Sequence, residues 1–384
     1  MRQAAFLPSD REKKTVMRID ELVLNDFRTY ADLKVSFSDT INVITGRNAQ
    51  GKTNLLEAVY YLTGSGSFRA SNDGELIRFG AEESVIEARV DSGGREQNIR
   101  ISFGNGRKKK IQVNGVSLRS PSELAGRFTA VLFSPEDLAV IQSSPAHRRR
   151  LLDSCLCQIR PRYAACLTEY RRLYERKTRI LRDRDPDMLR VLREFSDRMC
   201  ETGAVIVHYR AGLSRLLAEI AGETHREFSG GAEELSLTYQ TVRTVTDPEG
   251  DPSAILPMLR EHMLALEDAE LAAGRCLSGI HKDDLIVAVN GQDARRFASQ
   301  GQARTAAISL KMAEREILKR DTGEYPVLLL DDVLSELDAG RQNFILNRIG
   351  GGQVLITCCE DRSVAEKTGG RVFIVENGMV RTES

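Results

Sequence analysis

The sequence predicts an α/β fold assembled from both ends of the chain around a mainly helical insertion, and three observations predict it. Residues 41–44 form a short apolar run stopped by Gly46, with helical periodicity starting just after. Residues 325–332 form a second apolar run that ends in two adjacent carboxylates. Between them, from about 126 to 276, strand patterning gives way to long stretches with apolar residues three and four apart.

Taken in order, residues 1–16 are polar and unpatterned and read as an extra N-terminal segment. Residues 17–125 are expected to form the first part of the head. Runs at 18–24 and 33–37 have strand character, and VIEARV, NIRISF and KIQVNG, separated by Gly-rich turns, read as a small antiparallel meander. In the insertion, 151–182 and 186–228 are expected as two long helices, the second broken near Gly203, Gly212 or Gly222. A strand at 235–242 and a helix at 252–276 follow. Residues 277–384 return to α/β character, with buried strands at 326–330 and 353–357.

Composition limits the function classes. Hydrophobic residues make up 41% of the chain, enough for a substantial core, yet no stretch reaches the roughly 18 apolar residues of a membrane span. The opening residues lack the apolar run of a secretory signal. Seven cysteines, an odd number without repeated CxxC pairs, suggest reduced thiols rather than a disulfide framework or zinc site, and hence the cytoplasm. The 55 basic and 55 acidic side chains cancel, which excludes a uniformly basic coating protein but leaves room for local basic faces. GNGRKKK, AHRRR and the stretch from Arg160 to Arg184 are such faces.

GRNAQGKT (46–53), placed between a strand and a helix, is a phosphate-binding loop in its proper context. Backbone N–H groups and the positive end of the following helix would surround phosphates. Lys52 would reach the β and γ phosphates of ATP, and the Thr53 hydroxyl would ligate Mg²⁺. Downstream, Asp331 suits the same metal, and Asp332 suits a base or water-positioning role. ASQGQART (298–305) then places a Ser, a Gly and a helix N-terminus together. One ATP does not need this second anion-binding device from the same subunit. In ABC-type ATPases it comes from an opposite protomer and closes over the γ-phosphate.

With LNDFRTY, SFRASNDGELIRFG, FSPEDL, SPAHRRRLLD, HKDDL and LLLDDVLSELD added, the sequence resembles the RecF family from Met17 to near its end. The resemblance implies an ABC-type P-loop ATPase head with an inserted helical arm, ATP-dependent homodimerisation and slow hydrolysis. It also implies binding to duplex DNA or single-strand/duplex junctions, with RecO and RecR as partners in loading the RecA recombinase at gaps. Carried over by position, Gly46, Arg47, Asn48, Ala49, Gln50, Gly51, Lys52 and Thr53 would hold nucleotide. Asp331 would complete the metal site and Asp332 would position water. Ser299, Gly301 and Gln302 would reach the partner's nucleotide, and Arg28 resembles an arginine that approaches nucleotide in related heads. Two features depart from ABC transporters: Asp332 stands where they carry Glu, and Thr357-Cys358-Cys359-Glu360 stands where many ABC ATPases keep a sensing His.

DNA contacts are expected from Lys108, Lys109, Lys110, Arg148 and Arg149. Successive helical residues diverge, so few of the three arginines at 148–150 can share a face. No aromatic array suggests base stacking, so binding should be sequence-independent and salt-sensitive. His281 reads as a structural link between arm and head. The alternatives are a short-armed ABC ATPase that controls a nuclease or defence partner, or a transporter ATPase subunit.

Overall fold

The computed structural model describes residues 16–138, 140–359 and 363–383. Almost all of the N-terminal segment therefore lies outside the described residues. The chain opens with β1 (Arg18–Phe27), β2 (Tyr30–Ser36) and β3 (Ile41–Thr45), then α1 (Lys52–Tyr61). Strands β4 (Glu83–Ser92), β5 (Arg95–Gly104), β6 (Arg107–Val113), β7 (Val116–Ser117) and β8 (Ala130–Phe133) follow. The helices of the insertion are α2 (Pro135–Leu138), α3 (Pro145–Ile159), α4 (Pro161–Asp183), α5 (Pro186–Arg190) and α6 (Leu192–Phe228). After β9 (Leu235–Gln240) come α7 (Pro252–Ala265), α8 (Glu267–Ala273), β10 (Asp284–Val289), β11 (Gln292–Asp293) and α9 (Ala294–Phe297). The chain closes with α10 (Gln300–Thr322), β12 (Val327–Asp331), α11 (Ala339–Leu346), β13 (Val354–Cys358), α12 (Ser363–Thr368), β14 (Arg371–Glu376) and β15 (Met379–Thr382).

Three sheets result. The first is antiparallel, in the order β2-β1-β4-β5-β6-β7, and contains the expected meander. The second, β15-β14-β3-β13-β12-β8, is parallel except at β15 and mixes strands from both ends of the chain. Its central strands are buried on both faces, which is why they read as continuous apolar runs rather than alternating ones. Alternation still decides where each side chain goes. Ala130, Leu132, Val327, Leu329 and Leu355 enter a core shared with α1 and the antiparallel sheet. Val131, Phe133, Leu328, Leu330, Val354 and Ile356 face the other way, into a core that continues through α10 and the helical insertion.

Several sequence expectations need correction. The stretch 151–182 is two helices, because Pro161 disfavours helical geometry at the preceding residue, and Arg160 is extended (φ −128°, ψ 90°). Helix α6 runs unbroken for 37 residues, about 55 Å, straight through Gly203, Gly212 and Gly222. Burial of Met199, Ile206, Val207, Leu213 and Leu217 along it outweighs the roughly 1 kcal/mol cost of each glycine. Strand β8 falls inside the range 126–276 expected for the arm, yet it pairs with β12 in the head. Strand β9 pairs with β10 across the expected boundary at 277. The insertion is thus stitched to the head by main-chain hydrogen bonds at both ends.

Candidate nucleotide site

The loop between β3 and α1 is held from several sides. Gly51 has φ 118°, accessible to glycine without strain, and a Cβ there would lie 2.9 Å from the Tyr30 hydroxyl and 3.0 Å from Thr29 Oγ1. The Tyr30 hydroxyl itself donates to the Gly51 carbonyl at 2.9 Å. A Cβ on Gly46 would meet the Val375 carbonyl oxygen at 2.3 Å, so β14 packs against the start of the loop. Gln50 Oε1 accepts from the Asn377 N–H at 2.6 Å, which anchors the far side. Ala49 takes a left-handed backbone (φ 64°).

Lys52 is buried at the first turn of α1, and its ammonium donates to the carbonyls of Gly46 (2.7 Å) and Arg47 (3.1 Å). The amine therefore sits across the mouth of the loop, where phosphate oxygens would replace carbonyls as its acceptors. Thr53 Oγ1 donates to Asp331 Oδ1 at 2.9 Å, bringing the two expected metal ligands together from α1 and β12. Thr357 Oγ1 donates to the same carboxylate oxygen at 3.0 Å and accepts the Asp332 N–H at 2.8 Å. Burial raises the Asp331 pKa, and the two hydroxyls oppose that rise. A hard cation seated there would stabilise the carboxylate and take oxygen ligands from Thr53 and Asp331, the remainder coming from phosphates and water.

Asp332 adopts a left-handed backbone (φ 51°), and its Oδ1 is buried without a hydrogen-bond partner among the described residues. A buried acceptor of this kind costs about 1–3 kcal/mol until a donor arrives. That is the environment a water-positioning carboxylate needs. Cys359 lies in the same place, its thiol donating to Asn48 Oδ1 at 2.9 Å and lying 3.9 Å from Lys52 Nζ. Glu360 is outside the described residues. The sequence marked Thr357 and Cys359 only as part of the segment that stands in place of a sensing His; their contacts with Asp331, Asp332 and Asn48 were not foreseen.

The other expected residues fall elsewhere. Arg28 pairs through Nε and Nη2 with both oxygens of the fully buried Glu57, on α1, and also donates to the Glu75 carbonyl. Ser299 caps α10 and forms a reciprocal capping box with Gln302, whose amide also donates to Glu233. The Gly301 carbonyl accepts from Arg341 at 2.8 Å. Among the described residues, no hydrogen bond joins 299–302 to 46–53.

Of the expected DNA contacts, Lys108 and Lys110 are exposed, while Lys109 pairs with Asp73 at 2.9 Å. Arg148 is a correction: it is 3% exposed, and Asp284 and the carbonyls of Val140, Ile141 and Ser143 take up its guanidinium, so it is removed from solvent. Arg149 is half-buried and donates to the Asp283 carbonyl at 2.6 Å. His281 packs on Tyr174 and meets the Tyr170 hydroxyl at 3.1 Å through Nδ1, at the junction of α4 with the segment before β10.

A phosphate loop beside a strand-end carboxylate, with a separate capped signature helix on a two-sheet head, defines an ABC-type ATPase. The profile of the RecF/RecN/SMC N-terminal domain matches residues 18–381. The chain belongs to the RecF family of these ATPases. It is 37% identical over 344 residues to the DNA replication and repair protein RecF of Agathobacter rectalis, covering 89% of this chain and 92% of that one. It is 38% identical over 340 residues to the protein of the same name from Lacticaseibacillus casei, covering 87% and 90%. The solved structure of the recombination mediator protein RecF-ATPrS in the RecFOR pathway superposes with a TM-score of 0.88 at 32% identity, over 97% of this chain and all of that one. The Smc head domain of Pyrococcus furiosus shares the fold, with a TM-score of 0.54 at 16% identity over 96% of each chain.

Proposed function

We infer that this chain is an ATP-gated DNA-binding protein of recombinational repair, a slow Mg²⁺-dependent ATPase that dimerises on nucleotide at gapped or junction DNA. The observation that carries the reading is the meeting of Thr53 with Asp331 at 2.9 Å, beside the buried Lys52. ATP bound there would exchange the Gly46 and Arg47 carbonyls for its own phosphate oxygens at the Lys52 ammonium. Mg²⁺ would supply charge neutralisation between the phosphates. Asp332, whose buried Oδ1 has no hydrogen-bond partner among the described residues, would orient water toward the γ-phosphate.

The signature segment supports completion of the site by a second copy. Its first-turn N–H groups lack intrahelical partners, the Gln302 N–H being capped by Ser299 Oγ, and among the described residues no hydrogen bond joins it to its own phosphate loop. The name DNA replication and repair protein RecF among the relatives supports DNA as a partner, and the RecFOR pathway named for the solved structure supports RecO and RecR. No helix among the described residues is long and apolar enough to cross a membrane, and we place the protein in the cytoplasm with its DNA.

ATP hydrolysis and sedimentation, measured together with and without gapped duplex DNA, test this. ATP should produce a dimer, DNA should stimulate slow turnover, and Ser299→Arg should abolish the dimer while leaving ATP binding to the monomer. A Ser299→Arg chain that still dimerises with ATP would refute the sandwich. ATP binding with no DNA response at low or physiological salt would refute the DNA reading.

A further inference from the structure

A groove of about 730 Å³ runs between β6, residues 118–122 and one face of α4. Its helical wall is a single stripe, because Thr168, Arg172 and Arg176 recur every four residues. From the head, Lys108 and Arg119 reach the same groove. Lys108, Arg119, Arg172 and Arg176 are all exposed, and among the described residues none of their charged groups has an ion pair or a hydrogen bond, the Glu123 carboxylate beside Arg119 being held by its backbone N–H at 3.0 Å. Their neighbours differ: Arg171 lies 3.6 Å from Asp153, and Lys177 is buried against Glu270 at 2.6 Å. The one acid lining the groove, Glu169, is engaged by Arg198 at 2.5 Å. The fifth cation, Lys109, is offset by Asp73. What the groove offers is four uncompensated positive charges, three of them guanidinium forks shaped for phosphate oxygens.

We propose that this groove binds the phosphodiester backbone of the DNA, with Lys108 and Arg119 holding it from the head and Arg172 and Arg176 from the arm. The assignment rests on the DNA reading above and names the surface that performs it. No aromatic ring lines the groove, so it provides neither a platform for base stacking nor the aromatic anchor pocket that typically dominates a protein–protein contact. Backbone contact alone makes binding sequence-independent and strongly salt-dependent. Because one wall belongs to the head sheet and the other to α4, DNA seated here ties the arm to the ATPase.

The test uses the full chain with ATP and Mg²⁺, and fluorescence anisotropy of a labelled gapped duplex titrated from about 50 to about 200 mM salt. Each phosphate contact contributes about 0.9 to the slope of log K against log salt. Replacing Lys108, Arg119, Arg172 and Arg176 together by Gln should make the slope shallower by about 3–4 and weaken binding at least about tenfold at physiological salt. ATP binding and melting temperature should be unchanged. A charge-matched control replaces the exposed Arg95, Arg226, Arg243 and Lys367 by Gln and should keep most of the slope. Wild-type binding with an unaltered slope in the groove variant overturns the groove alone, as does an equal loss in the control, which would reveal a diffuse charge effect. A wild-type chain that binds no DNA in any nucleotide state overturns the proposed function and the groove with it.

Discussion

Gly46 and Gly51 were both expected to hold nucleotide, and the tertiary structure gives each a further constraint. At Gly46 any Cβ would strike β14. At Gly51 it would crowd Tyr30 and Thr29 and face a backbone that side chains rarely adopt. His281, read from the sequence as a structural link, sits at such a junction. Burial, aided by Lys282, pushes its pKa down to about 4, against about 6.5 in an unfolded chain. Above pH 6.5 the ring is neutral in both states, so its contribution to stability is fully present there. As pH falls from 6.5 towards 4, the unfolded chain takes up the proton first and the native state loses about 2–3 kcal/mol. Urea denaturation at pH 7.5 and 4.5 should show His281→Gln escaping this part of the decline. An identical decline in both chains would contradict it.

Among the elements, the helical insertion depends on a buried polar network as well as on apolar packing. Arg210 on α6, only 2% exposed, donates to Asp283 and Asp153 at 2.9 and 3.0 Å and to the Ile280 carbonyl at 3.0 Å. Asp283 is fully buried and also accepts from Tyr239 on β9 and from Thr241. The HKDDL segment is therefore internal scaffolding: Asp283 receives α6, and Asp284 receives Arg148 of α3. Arg210→Leu removes the cation and leaves the fully buried Asp283 carboxylate without an ion pair and Asp153 with only Arg171 at 3.6 Å, which should cost about 3–5 kcal/mol by chemical denaturation. A loss below about 1 kcal/mol would mean that water already shares the network. Helix α4 is basic at many positions, but its residues separate by direction. Lys177 is internal, Arg171 leans on Asp153, and Arg172 and Arg176 look into the groove.

For the molecule as a whole, the parallel sheet joins chain segments nearly 300 residues apart. β3 and α1 supply the phosphate loop, and β12 and β13, from the other end, supply Asp331 and Thr357. A bound Mg²⁺–ATP would bridge these segments and stabilise the head by about 2.7 kcal/mol at a hundredfold excess over Kd. Thermal melts should therefore rise with ATP and rise further when Mg²⁺ is added. In Asp331→Asn the ATP increment should persist and the Mg²⁺ increment should shrink. An unchanged Mg²⁺ increment would remove Asp331 from the metal site.

The phosphate loop, the strand ending in Asp331 and Asp332, the capped signature helix and the meander were legible because each is local. Each motif is a run of consecutive residues, and the meander is a set of neighbouring strands joined by short turns. Pro161 was equally local, and the helix boundary beside it was available from the sequence. What only the tertiary structure decided depends on residues far apart in sequence. It buried Arg148 against Asp284 while exposing Arg172 and Arg176, brought Thr357 onto Asp331, gave Arg28 to Glu57, and carried α6 through three glycines. A charge run in sequence records how many cations there are. Which of them are neutralised, and which remain to meet a ligand, depends on the partner that long-range packing places within a few ångströms, since both desolvation and pairing act only at contact.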